Sequence, residues 1–132
     1  MTATATAKEQ VFQTLYNAAH AKGMEAGMGS NPTPMIVQQH ANPLNDNSPV
    51  VQQYFVSEGA CGFAWIVVKP GTSAFARWLT KKGYARKHYH GGVSIWVGEF
   101  NQSIDRKEAY AAAFAEVLRN GGITAYSDSR MD

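Results

Sequence analysis

Apolar positions along the chain follow two periods, and the switches between them mark the elements. Between residues 8 and 22, Val11, Phe12, Leu15, Tyr16, Ala18 and Ala19 recur at three- and four-residue spacing, which places them on one face of an amphipathic helix. The stretch GMEAGMGSNPTP then breaks regular structure through its glycines and prolines, and residues 35–39 have the makings of a short strand. Residues 40–49, HANPLNDNSP, are turn formers and read as a loop. Residues 50–56 alternate weakly, and SEGACG turns the chain into a stronger strand over residues 62–69.

From Gly62 onward the pattern sharpens. GFAWIVVK is closed by Pro70 and Gly71, after which Thr72 or Ser73 caps a helix running to about Lys82, with Phe75, Trp78 and Leu79 on one face. Gly83 ends that helix in the left-handed conformation. A strand over residues 84–90, a two-residue turn at Gly91 and Gly92, and a returning strand over residues 93–100 form a hairpin. Asp105 and Glu108 make a capping-box-like start to a second helix, whose stripe is Tyr110, Phe114, Val117 and Leu118. That helix ends at Asn120, Gly121 and Gly122 stop it, and residues 123–127 form a short last strand.

The order strand, helix, strand, strand, helix, strand predicts an α+β fold with a ferredoxin-like βαββαβ core over about residues 62–127. Residues 1–61 form an N-terminal helix and an irregular, short-strand extension of the same domain. Right-handed crossovers put both core helices on one sheet face. Strand periodicity assigns Ala64, Ile66 and Val68, with Val93, Ile95 and Val97, to the helices. Phe63, Trp65, Val67 and Lys69, with Ser94 and Trp96, belong to the other face. Two tryptophans there form an apolar patch that calls for a cover. The N-terminal helix folding back over it, self-association through the sheet, and an open platform for stacking unpaired bases are three ways to use it.

Composition narrows the function without naming it. The 132 residues are 45% hydrophobic and 17% charged, and 12 basic against 10 acidic side chains leave a net charge of only +2. Electrostatic recognition must therefore rest on local clustering. Cys61 is the single cysteine, which excludes an intrachain disulfide. The opening MTATATAKEQ lacks the order of a secretory signal, and the longest apolar run, residues 64–68, is far too short for a bilayer, so a cytoplasmic protein with no membrane partner is expected.

Three constellations could carry chemistry. Arg77, Lys81, Lys82, Arg86, Lys87, His88 and His90 cluster with Trp78, Tyr84 and Tyr89 between them, and no acidic residue interrupts the run from Lys69 to Gly98. Such a segment attracts phosphates by charge and counterion release and offers rings for stacking. Lys69, Gly71, Thr72 and Ser73 end a strand and open a helix, a place where free amides and hydroxyls can meet an anion or simply cap the helix. His88 and His90, two apart on a strand, point to one side as a metal pair would, but His20, His40, Cys61, Glu99 and Asp105 stand at no ligand spacing and no metal or other cofactor is assigned. For acid–base work Glu58, Glu99, Asp105 and the histidines are available, with no pair fixed together by sequence.

GFAWIVVKPG, FARWLTKKGYARK, GGVSIWV and the tail RKEAYAAAFAEVLRNGGITAYSDSRMD resemble small proteins encoded by tailed phages and prophages, over about residues 31–132. The resemblance implies a host-cell cytoplasmic setting or a place in a virion. It implies no activity and carries over no site residue.

The expected function is non-enzymatic binding of a phosphate-bearing ligand, nucleic acid or nucleotide, by Arg77, Lys81, Lys82, Arg86, Lys87 and His88 with Tyr89 or Trp96 stacking, in a homo-oligomer. The alternatives are an oligomeric catalyst or ligand-sequestering protein using Glu99, His88, His90 or Tyr84 between subunits, and a virion or assembly protein.

Overall fold

Each strongly periodic segment becomes an element, and the order of elements sets the layers. In the computed structural model, which describes residues 6–32, 34–40, 44, 47, 50–56 and 58–132, the elements are α1 Ala7–Gly29, β1 Met35–His40, β2 Val50–Val56, β3 Gly62–Lys69, α2 Ala74–Lys81, β4 Arg86–Lys87, β5 Val93–Trp96, α3 Ile104–Asn120 and β6 Thr124–Met131. The fold is α+β. Strands β1 and β2 form a separate antiparallel pair, and the other four make an antiparallel sheet in the order β4-β5-β3-β6. Most of the loop expected over residues 40–49 lies outside the described residues, and His40 closes β1. Among the described residues no helix is long and apolar enough to cross a membrane.

The helix-facing side of the sheet is the core. Ala64, Ile66, Val68, Val93, Ile95, Val97 and Ala125 bury against Phe75, Trp78 and Leu79 of α2 and Tyr110, Phe114 and Leu118 of α3. Removing such side chains from water supplies about 1.5–3 kcal/mol each, enough to fix which face of each strand turns inward.

The N-terminal helix does not lie on the face carrying Trp65 and Trp96. It packs on the helices. Phe12 meets Phe75 at 5.3 Å and Trp78 at 5.8 Å between ring centroids, and Tyr16 stands edge-on to Phe114 at 5.4 Å. The helix also runs to Gly29, seven residues past the expected end. The physical reason is a stripe at four-residue spacing, Ala19, Gly23 and Gly27, all buried. A Cβ on Gly23 would sit 2.7 Å from the Tyr110 ring, and one on Gly27 would sit 2.4 Å from the Phe100 ring. These glycines admit aromatic rings to the helix surface, and that packing outweighs the roughly 1 kcal/mol each costs in helix propensity.

Four other boundaries shift. Only Arg86–Lys87 of the strand expected over residues 84–90 pairs. The hairpin closes through a wider turn in which His88 N–H donates to the Gly92 carbonyl and Gly91 N–H donates back to the His88 carbonyl, both at 3.0 Å. Gly91 and Gly92, at φ 99° and 77°, supply the left-handed angles. Regular pairing in β5 ends at Trp96, although Val97 N–H still donates to the Ala64 carbonyl at 3.0 Å. Helix α3 is capped by Ser103, whose hydroxyl accepts from Arg106 N–H at 3.4 Å, rather than by Asp105. Strand β6 continues to Met131, in register with β3 along its whole length.

Candidate ligand-binding face

Register brings the aromatic side chains of the far sheet face together. Trp65 of β3 and Trp96 of β5 are direct cross-strand partners, with centroids 4.9 Å apart and planes 28° from parallel. Phe63 stands edge-on to Trp96 at 6.0 Å. On the other flank β6 pairs Tyr126 with Val67, Asp128 with Trp65 and Arg130 with Phe63, which puts these three side chains on the same face. Val67 and Ser94 at the centre are buried, whereas Trp96 keeps 47% and Tyr126 39% of its surface exposed. The buried Trp65 Nε1 has no hydrogen-bond partner.

Cations edge this surface. The Lys69 ammonium lies 5.6 Å from the Tyr126 ring centre, and the Arg130 guanidinium lies 5.6 Å from that of Phe63. Buried Lys107, from the first turn of α3, donates to the Gly62 carbonyl at 3.3 Å and approaches the Phe63 ring at 5.6 Å. Arg86 is the register partner of Ser94 and so extends the face across β4. Nothing local in sequence ties Tyr126, Arg130 and Lys107 to this site; the period-2 alternation of YSDSR could have placed Tyr126 and Arg130 once that segment is read as strand, whereas Lys107 reaches it from α3 with no sequence signal.

The basic run expected to act as one segment is divided by the fold. Arg86 and Trp96 belong to the sheet face. Arg77 and Lys81 lie in the helical layer, where they join Lys8, Phe12 and Trp78 around a cavity of about 310 Å³. Lys82 is the exposed C-cap of α2, and Lys87 sits opposite Val93 on the alternate face of the short edge strand. His88 is buried in the turn; Tyr89 is 84% exposed, its ring 3.9 Å from that of His90. Among the KPGTS residues, Ser73 uses its hydroxyl to accept from Ala76 N–H at 3.2 Å, Thr72 is exposed, Gly71 lies close to Gly92, and Lys69 turns to the sheet face. Among the described residues no three His, Cys, Asp or Glu side chains gather in a group that could hold a metal ion.

Polar groups with acid–base potential collect elsewhere. Tyr84 stacks on Tyr16 at 4.1 Å, away from His88 and His90. The Tyr110 hydroxyl lies 2.6 Å from His20 Nδ1. Burial, then the nearby Glu99 carboxylate and Tyr16, push the Tyr110 phenol far above its ordinary value, so it stays protonated near neutrality. Burial, Tyr84 and Glu99 raise Tyr16 in the same direction. A cavity of about 600 Å³ opens beside Cys61, lined also by Met28, Phe100, Gln102 and Arg106. Its guanidinium is already engaged: Nε donates to Glu58 at 2.7 Å, and Nη1 donates to the Gly27 and Met28 carbonyls at 2.9 and 3.1 Å. That geometry ties the end of α1 to α3. Comparison of the chain with known protein families, with curated proteins and with solved structures finds no match.

Proposed function

We propose that this protein is a non-enzymatic binder of single-stranded nucleic acid, or of a nucleotide, that stacks bases on the Trp65 and Trp96 face. The observation that carries the reading is the stacked tryptophan pair, with Trp96 half exposed and Lys69, Arg86 and Arg130 within the same surface. Rings give a base a sequence-tolerant partner, and cations at the margin meet its phosphates. The ferredoxin-like core is part of the same proposal. Its support is the strand order, with the first and third core strands in the centre and every neighbour antiparallel, an arrangement that keeps the aromatic strands central. A phage-type protein acting as a homo-oligomer in the host cytoplasm is the setting proposed for it.

Titration of tryptophan fluorescence with short DNA and RNA single strands and with nucleotides, at low salt, tests the reading. Quenching that weakens as salt rises is expected, and Trp96→Ala should weaken binding by about 5- to 150-fold, the equivalent of ~1–3 kcal/mol for one stacked base. Absence of binding to all three ligand types at low salt would overturn it.

A further inference from the structure

The two edges of the four-stranded sheet are unlike. Strand β4 is two charged residues long, a length and composition that deter pairing. Strand β6 runs for eight residues and is the other edge. Asp132 N–H donates to the Cys61 carbonyl, so even-numbered β6 residues turn their amides toward β3, and Ala125, Ser127, Ser129 and Met131 present theirs outward. One end of that outward row is occupied, because Arg119 Nη1 donates to the Ala125 carbonyl at 3.0 Å. In the middle, Ser129 N–H is held only by the carboxylate of its own neighbour, Asp128 Oδ1, at 2.8 Å.

We propose that β6 pairs antiparallel with β6 of a second copy, about a two-fold axis through Ser129, joining the two sheets. This goes beyond ligand binding and does not depend on it. Two observations select the register. Centring on Ser129 makes Ser129 face Ser129 and Ser127 face Met131 as hydrogen-bonded pairs, and leaves the Ala125 carbonyl with Arg119. It also places Asp128 opposite Arg130 twice, as non-hydrogen-bonded pairs in which side chains come closest, and both residues are exposed. Centring on Asp128 would set the two Asp128 carboxylates directly opposite each other and pair Ala125 with Met131, displacing Arg119, and centring on Ser127 would pair Ala125 with Ser129 and displace Arg119 as well. On pairing, the Asp128 carboxylate leaves Ser129 N–H for the partner's guanidinium, and the freed amide donates to the partner strand. The groove beside this edge is walled on the α3 side by Glu108 and by Ala109, Ala111 and Ala112, and the three alanines leave room for the second copy. Because the register preserves strand parity, both tryptophan faces end on the same side of the joined sheet.

Analytical ultracentrifugation over a concentration series tests the pairing. The wild type should sediment as a dimer that dissociates on dilution. Ser129→Pro removes an outward amide without touching the β3 ladder, and together with Asp128→Arg it should give monomers with unchanged circular dichroism. The reversed pair Asp128→Arg with Arg130→Asp should restore the dimer. A monomeric wild type at the highest soluble concentration, a folded Ser129→Pro variant that stays dimeric, or a folded reversed pair that stays monomeric would each overturn the proposal.

Discussion

Gly23 lies against the ring of Tyr110 so closely that an added Cβ would stand 2.7 Å from it. The contact joins α1 to α3 in the interior, where a ring cannot withdraw without disturbing its bond to His20. Gly23→Ala should therefore destabilise the protein by about 1–2 kcal/mol, the overpacking cost exceeding the gain in helix propensity. Gly29, which has open space around it, provides the contrast: Gly29→Ala should be neutral or stabilising by up to about 1 kcal/mol. Urea denaturation of both variants checks the sign of each.

Arg106 donates to two carbonyls at the end of α1, that of Met28 and that of Gly27, which also accepts a long bond from the Ser30 N–H at 3.4 Å. Arg106→Ala should cost about 1–2 kcal/mol, most of it from the charge-assisted bond to the partly buried Gly27 carbonyl, since the Met28 carbonyl is exposed. Glu58→Gln should cost less than about 1 kcal/mol, because the Glu58 side chain is 57% exposed and solvent screens the pair. The ordering of the two variants by chemical denaturation separates a helix clamp from a simple ion pair.

How much of this was legible in the sequence depends on whether a signal was local. GFAWIVVK reads as a strand and its tryptophan as outward because alternation and the flanking glycine and proline agree. Gly23 and Gly27 read as breakers because their partners, Tyr110 and Phe100, lie about 80 residues away, and only packing against them explains a glycine stripe inside a helix. The cations of residues 77–90 look like one cluster because they are close in the chain. A helix, a short strand and a turn send them to different surfaces. Conversely, Arg130 and Tyr126 reach the tryptophan face only through the β3 and β6 register, which polar YSDSR does not announce.

Alkaline titration should expose the buried phenols. The Tyr110 pKa is raised in the folded state above its ordinary 10.0, so the stability it contributes is complete below that value and falls as pH rises through the window up to the folded pKa. Above about pH 10 the unfolded state ionises first and unfolding becomes easier. Absorbance titration at the tyrosinate band should show Tyr16 and Tyr110 ionising after the freely exposed phenols or together with unfolding. Tyr110→Phe should flatten the alkaline loss of stability, at a cost near neutrality of about 1 kcal/mol for the lost hydrogen bond.

Salt dependence distinguishes the sheet face from the helix surface as the place where phosphates sit. Each neutralised phosphate on a single strand contributes about 0.7 to the slope of log affinity against log salt. If bases stack on Trp96, the backbone passes Lys69, Arg86 or Arg130, and replacing one of these by alanine should lower the slope by about that amount while weakening binding similarly across sequences. Arg77→Ala and Lys81→Ala change charge in the helical layer, around a cavity they share with Phe12 and Trp78. They should leave the slope unchanged. Oligonucleotide titrations of these five variants at several salt concentrations read the difference directly: a slope that responds to Arg77 and Lys81 but not to Lys69, Arg86 and Arg130 would move the ligand off the tryptophans, because a strand held on the helices cannot also stack on the opposite face of the sheet.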